Sequence, residues 1–334
     1  MKVFADLHHG ALYHSLRILF EKRLGWELYR PTGKDWLNED FWTYSKSEGV
    51  KNQYLEIPEC AVLKDGYYEI PDKFHGATDK CLTFEQFKNT EIDIVVASVR
   101  EHEETYRRLV DMYKPKAKLI RQAGNIHDII DPEICPNIMA SALLDNVPKD
   151  INVVTYHQEF DLQTFNYRDP TKEKKISNFM NCVPDSRDFY LYPAYEKHLH
   201  EYEWKMFGIQ GKDGILDTAE QVAEEMRKSM FVWHVKFGGD GFGHVIHNVA
   251  AVGRPMITRK QYYDDKLGGL LLEHGKTCID IDQGSYEENI KLIRQMSEPE
   301  NHKKMCEAMK KRFDEVVNFD EEFIYIKKFL ENLL

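Results

Sequence analysis

The stretch whose reading decides the fold is Phe237-Gly238-Gly239-Asp240-Gly241-Phe242-Gly243-His244-Val245-Ile246-His247-Asn248, continued by Val249-Ala250-Ala251-Val252-Gly253-Arg254-Pro255-Met256-Ile257. It follows the apolar run 230–235, which reads as a buried strand, and it leads into a helix over 243–252 and a further strand over 255–258. Four glycines in a strand-to-helix turn (Gly238, Gly239, Gly241 and Gly243) let backbone N–H groups approach an anion, and the helix start adds partial positive charge. A diphosphate suits that geometry. For the glycines alone, a tight turn without a ligand is the other reading.

Outward from this stretch, strand-like runs alternate with amphipathic helical ones from end to end, the pattern of parallel sheets covered by helices. Residues 2–7 read as a first strand, His8-His9-Gly10 as a turn, and 11–24 as a helix with Leu12, Leu16, Leu19 and Phe20 on one side and Gly25 as its stop. A second strand over 26–29 ends at Pro31. Residues 32–90 are polar, aromatic and poorly periodic, which predicts an insertion of loops and short strands. Strands over 92–97, 118–120, 138–142 and 151–156, with a helix over 103–112, complete the first half.

The charged stretch Asp169-Pro170-Thr171-Lys172-Glu173-Lys174-Lys175 reads as the linker. Beyond it come a strand over 176–182, helices over 192–207 and 217–229, and after the glycine turn further helices over 287–296, 299–317 and 320–334. Domains over 1–168 and 169–318 with a final helix over 319–334 follow. The length agrees, since 334 residues exceed one ordinary core and suit two.

Composition narrows the function classes. With 42% hydrophobic, 30% charged and 12% aromatic residues the chain is globular. Lys plus Arg number 45 against 56 Asp plus Glu, a formal charge of −11, so the overall field repels polyanions and bulk nucleic-acid binding is not expected. Six scattered cysteines without paired spacing suggest neither a zinc site nor a disulfide framework. No apolar run reaches the roughly 20 residues of a membrane span, and the amino terminus leads straight into a strand without a signal pattern, so a cytoplasmic protein is expected.

The whole glycine stretch is more specific than its glycines. It resembles the donor-binding segment of GT-B glycosyltransferases of the retaining, glycogen-synthase-like group, in which an acidic residue, Gly-Phe-Gly, a helix and Gly-x-Pro recur in this order. The resemblance places Asp240 and Asn248 at two family positions that are usually Glu, and it continues through Gly268-Gly269-Leu270-Leu271-Leu272-Glu273-His274-Gly275-Lys276-Thr277-Cys278-Ile279. It covers residues 215–310 well and the first half by architecture alone. It implies an α/β fold of two Rossmann-like domains facing across a cleft, with the final helix crossing back to the first domain.

Site residues follow from the residues and the resemblance together. Asp240 keeps a carboxylate one methylene shorter than Glu for a place beside the reacting sugar. Asn248 keeps hydrogen-bonding capacity for a ribose hydroxyl. Gly239, Gly241, Phe242, Gly243 and His244 form the donor turn, and Lys236 and Arg187 are the nearest cations for phosphate. Val153-Val154-Thr155-Tyr156-His157 is similar to the family's first-domain strand whose terminal His lies against the donor sugar, and such strand ends bind ligands in open α/β sheets. A His bonded to a neighbouring loop is the alternative. His8, His9 and Gly10 stand at the corresponding edge of the first sheet, where His9 or His8 is a candidate base for an acceptor hydroxyl. His244 and His247 lack a third ligand at matching spacing, so no metal is expected. The aromatic set Trp26, Tyr29, Trp36, Phe41, Trp42 and Tyr44 reads as an acceptor groove or as a satellite core under a long loop.

The resulting expectation is a metal-independent glycosyltransferase, without a resident cofactor, that moves a sugar from a nucleotide-diphosphate donor to a hydroxyl, with retention implied by the resemblance. The acceptor is left open, a modified nucleic-acid base included. A nucleotide-sugar epimerase on the same scaffold and a non-catalytic nucleotide-sugar-binding protein are the alternatives. A hydride-transfer enzyme is disfavoured because His8-His9-Gly10 offers no glycine-rich fingerprint after the first strand.

Overall fold

The computed structural model describes residues 1–7, 9–37, 56–98, 100–181 and 183–334. His8, Phe41, Trp42 and Tyr44 therefore lie outside the described residues. The chain divides into two compact units, Met1–Phe160 with Phe319–Leu334, and Asp161–Asn318.

In chain order the first unit contains β1 (Lys2–Asp6), α1 (Gly10–Arg17) with a π-helical continuation Ile18–Arg23, β2 (Glu27–Pro31), β3 (Val62–Lys64), β4 (Tyr67–Asp72), β5 (Ala77–Leu82), α2 (Phe84–Asn89), β6 (Ile94–Ala97), α3 (Arg100–Tyr113), β7 (Lys118–Ala123), β8 (Asn137–Ala140) and β9 (Asn152–Thr155). They form one sheet in the order β3-β4-β5-β2-β1-β6-β7-β8-β9. At its centre β1 runs parallel to both neighbours, with Val3 opposite Leu28 and Ile94. Side chains alternate between two layers. Val3 and Ala5 join α1 residues Leu12 and Leu16, whereas Phe4 packs with Phe87, Tyr106 and Leu109 of α2 and α3. Burial on both faces is why β1 and β6 read as continuous apolar runs.

Part of the irregular insertion extends this sheet. β3, β4 and β5 pair antiparallel, and β5 joins β2 in parallel. Arg17 on α1 is buried between Asp72 (2.7 Å) and Asp79 (2.5 Å), and so ties the inserted strands to the first helix.

The second unit contains β10 (Lys175–Asn178), α4 (Leu191–His198), β11 (Glu203–Met206), α5 (Ala219–Lys228), β12 (Phe231–His234), α6 (His244–Ala251), β13 (Met256–Thr258), β14 (Cys278–Asp280), α7 (Tyr286–Met296) and α8 (Pro299–Val316). Its sheet is parallel throughout, in the order β11-β10-β12-β13-β14. Two expectations need correction. The helix expected over 192–207 ends at His198, and 203–206 is the edge strand β11, where Trp204 and Met206 are buried and pack with Tyr192 and Trp233 while Glu203 is exposed. A four-residue alternation is too short to stand out beside a helix. The unit boundary also precedes the charged stretch: Arg227 donates to the Thr164 carbonyl (2.8 Å), and Arg254 to those of Arg168 (3.2 Å) and Asp169 (3.0 Å), so residues 161–168 belong to the second unit. Among the described residues no helix is long and apolar enough to cross a membrane.

The last helix, α9 (Phe319–Glu331), belongs to the first unit. Ile326, Phe329 and Leu330 are buried with Val3, Leu16 and Tyr156, and Arg23 donates to Asp320 (2.8 Å) at the helix start. Because Leu330 is 1% exposed, Leu330→Ala should destabilise the first unit by about 2–5 kcal/mol, read from its denaturant transition. An unchanged transition would show that α9 does not close this core.

Candidate donor site at the glycine turn

The turn between β12 and α6 is built by backbone constraint. Gly238 (φ 73°), Gly239 (φ 69°) and Gly243 (φ 81°) occupy the left-handed region that L side chains avoid. Gly239 has a second reason to be glycine: a Cβ there would lie 2.4 Å from the Tyr262 carbonyl oxygen. Gly243 is the N-cap of α6 and contributes no side chain, so the first N–H groups of the helix have no side-chain cap. That is the arrangement in which a helix start receives an anion.

Asp240 lies inside this turn. Its Oδ2 meets Nε2 of His234, the last residue of β12, at 3.1 Å, and its Oδ1 meets the Lys236 ammonium. Burial pushes the carboxyl up, but the hydrogen bond from His234 and the charge and hydrogen bond of Lys236 outweigh it and hold Asp240 well below the usual carboxylate range. Lys236, expected as a phosphate cation, is thus paired with Asp240 in this structure. Arg187 comes to the same place, its guanidinium 4.7 Å from the Phe237 ring centre.

Neighbouring loops lock the turn. Arg259, one residue past β13, donates to Asp282 (2.9 Å) and Asp188 (3.3 Å), and the Tyr262 hydroxyl donates to Asp188 (2.6 Å). Loops after β10, β13 and β14 are thereby laced together beside the loop after β12, all at the carboxyl edge of one parallel sheet, where such sheets bind ligands. On α6, His247 donates Nδ1–H to the Gly243 carbonyl (2.9 Å), and its ring stacks on Phe242 with centroids 4.1 Å apart. His244 meets Phe242 edge-on. Both histidines serve the turn. Asn248 carries a buried Oδ1 with no hydrogen-bond partner among the described residues. Gly268 lies against Ile246 and Gly269 against the Tyr263 carbonyl, which packs the segment after α6 back onto this helix and its turn.

The remaining candidates sit in the first unit. His9 is the exposed N-cap of α1, and Gly10 lines a cavity of about 540 Å³ with Tyr13, Arg30, Asp72, Phe74 and His75. His157, two residues past β9, is fixed by α9: its Nδ1 lies 2.6 Å from Glu322 Oε1, and its backbone N–H donates to Oε2 (2.7 Å). Trp36 is buried in the core with Phe4, Phe84 and Phe87, and Trp26 stacks on Phe20, so these two aromatic residues are packing residues.

Three features escaped the sequence reading. Asp6, at the carboxyl end of β1, accepts from the Tyr106 hydroxyl (2.8 Å), and burial raises its carboxyl to about 6. Among the described residues His14, Asp72 and His75 bring three metal-ligand types together. The Arg17 guanidinium stands 2.6 Å from His14 Nδ1 and 2.7 Å from Asp72, so a cation there competes with a fixed positive charge. His234 is the third. Inside an apolar strand it looks like a core residue, and no spacing signal links it to Asp240.

No known family profile and no curated protein matches the sequence. Solved structures match along almost the whole chain. An alpha-glucosyltransferase in complex with UDP and a 13-mer DNA containing an A:G mismatch shares 11% identity over 98% of this chain and 100% of that one, with a TM-score of 0.63. Anabaena HepE in complex with UDP and glucose shares 11% over 99% of each, at 0.66. Sucrose-phosphate synthase from Thermosynechococcus elongatus shares 9% over 100% of this chain and 99% of that one, at 0.64. With two α/β units, the first on a mostly parallel sheet and the second on a wholly parallel one, a glycine turn at the carboxyl edge of the second sheet and a last helix counted with the first unit, the chain has the GT-B fold of the glycosyltransferases.

Proposed function

We propose that the protein is a glycosyltransferase whose second unit binds a nucleotide-diphosphate sugar at the glycine turn and transfers the sugar to an acceptor hydroxyl. The observation that carries the reading is the turn itself, where an uncapped helix start, a part-buried Asp240 bonded to His234 and two cations, Lys236 and Arg187, converge. The solved structures of the same fold include chains crystallised with UDP or UDP-glucose, which supports a nucleoside diphosphate as the ligand.

In this reading the diphosphate lies against the amides of Gly241, Gly243 and His244. Departure of the diphosphate develops the largest charge of the reaction, so amides and cations fixed in place before it develops lower the barrier. Lys236 turns from Asp240 to the phosphates, and Arg187 adds a second charge. Asp240 stays ionised beside the sugar, and the Asn248 Oδ1 accepts from a ribose hydroxyl. Retention rests on the sequence resemblance. His9, Gly10 and the cavity beside it are the acceptor-side candidates of the first unit, and His157 is a candidate whose ring Glu322 already orients.

Nucleoside diphosphates should stabilise the second unit, by about 2.7 kcal/mol at 100 times the dissociation constant. Monophosphates should do so less. The shift should persist in EDTA and shrink in Lys236→Ala. A chain that no nucleoside diphosphate stabilises while NAD does would reject the donor reading.

Asp240→Asn keeps a hydrogen-bond acceptor but removes the charge. It should lower turnover more than about tenfold while leaving nucleotide affinity within about twofold, the pattern of an interaction made in the transition state. Undiminished turnover at saturating donor would remove Asp240 from the mechanism.

A further inference from the structure

His234 is wholly buried at the end of β12, a strand otherwise made of Phe231, Val232 and Trp233. A polar ring at such a position is costly unless it is hydrogen-bonded. Its backbone carbonyl is occupied by the Thr258 hydroxyl (2.7 Å), and its ring lies 5.8 Å from that of Tyr263. Among the described residues its side chain has one hydrogen-bond partner, the Asp240 carboxylate at 3.1 Å, and Nδ1 has none. The tautomer follows. A carboxylate accepts only, so Nε2 carries the hydrogen, and a neutral ring leaves at Nδ1 a bare lone pair rather than a buried unpaired N–H.

We propose that His234 is a positioning residue for transfer: from inside the sheet it donates to Asp240 and holds that carboxylate ionised and fixed when Lys236 leaves it for the diphosphate. The inference rests on the donor-site reading of Asp240 given above. Asp240 has two polar tethers of different kinds. Lys236 is half-exposed on a flexible stem and is free to follow an incoming anion, whereas the His234 ring is enclosed by the strand and Tyr263 and stays. Without His234, a bound donor would leave the aspartate part-buried, short of hydrogen-bond donors, and drawn toward protonation. Among the described residues the groups that face the Asp240 carboxylate include His234, Lys236 and the buried Tyr263, and of these His234 is the one that donates to it from inside the sheet.

The test compares His234→Phe, which removes the donor, with His234→Gln, which keeps an N–H at a similar reach; His234→Leu replaces the Phe variant if the larger ring does not fit. Three measurements are made on the full chain: the titration of Asp240 by carboxyl carbon NMR, assigned against Asp240→Asn; the melting shift given by UDP; and kcat and KM for UDP release from a panel of UDP-sugars. In the donorless variant Asp240 should titrate at least about one unit higher, because a lost donor to the charged form raises a carboxyl pKa. The acid limb of kcat should move up with it. The UDP shift should be retained, kcat should fall more than about tenfold with KM within about twofold, and Gln should restore most of both. An unmoved Asp240 titration, or a Gln variant as impaired as the donorless one, overturns the proposal. A wild-type chain that UDP, ADP and GDP all fail to stabilise overturns the donor reading instead, and the titration alone then decides whether His234 governs Asp240.

Discussion

A part-buried carboxylate inside a turn of glycines is the constraint on which the carboxyl edge of the second unit's sheet depends. Asp240 is ionised where burial opposes ionisation, and it stays so because His234 and Lys236 both reach it. That reach requires the turn to fold tightly over the end of β12, which places Gly238 and Gly239 at positive φ and Gly239 against the Tyr262 carbonyl. The Tyr262 side chain is in turn held by Asp188, and Asp188 by Arg259. The turn that carries this part-buried charge is thus packed against loops whose side chains are themselves held in order.

In the donor-site reading, the same arrangement suits a short aspartate at a place where a longer acid is usual in the resembling family. The shorter side chain remains close to the strand from which His234 donates. Asn248, at the second such position, gives up charge and keeps a buried acceptor oxygen. A diphosphate arriving at the turn therefore meets no second carboxylate from that position.

Much of this was legible in the sequence, and the reasons are local. Glycines followed by an apolar helix announce the turn, and the unbroken apolar runs of β1, β6 and β12 announce strands buried on both faces. Gly243 could be named from the glycine turn, and Asp240 and Asn248 because the stretch resembles the donor-binding segment of a known family. β11 was hidden by its length, and the true unit boundary by the fact that Arg254, distant in sequence, holds residues 168 and 169. His234 and Asp6 were hidden for a deeper reason. Each is a polar residue in or at the end of an apolar strand, and only the folded chain shows that the partner is Asp240 in one case and Tyr106 in the other.

The account stands on a diphosphate at the start of α6, and a crystal structure of the protein grown with UDP tests this most directly. The account predicts both phosphates within hydrogen-bond distance of the backbone N–H groups of residues 241–244, with the Lys236 ammonium moved from Asp240 to a phosphate oxygen and His234 still bonded to Asp240. Phosphates bound elsewhere, with the turn empty and Lys236 still on Asp240, would contradict it.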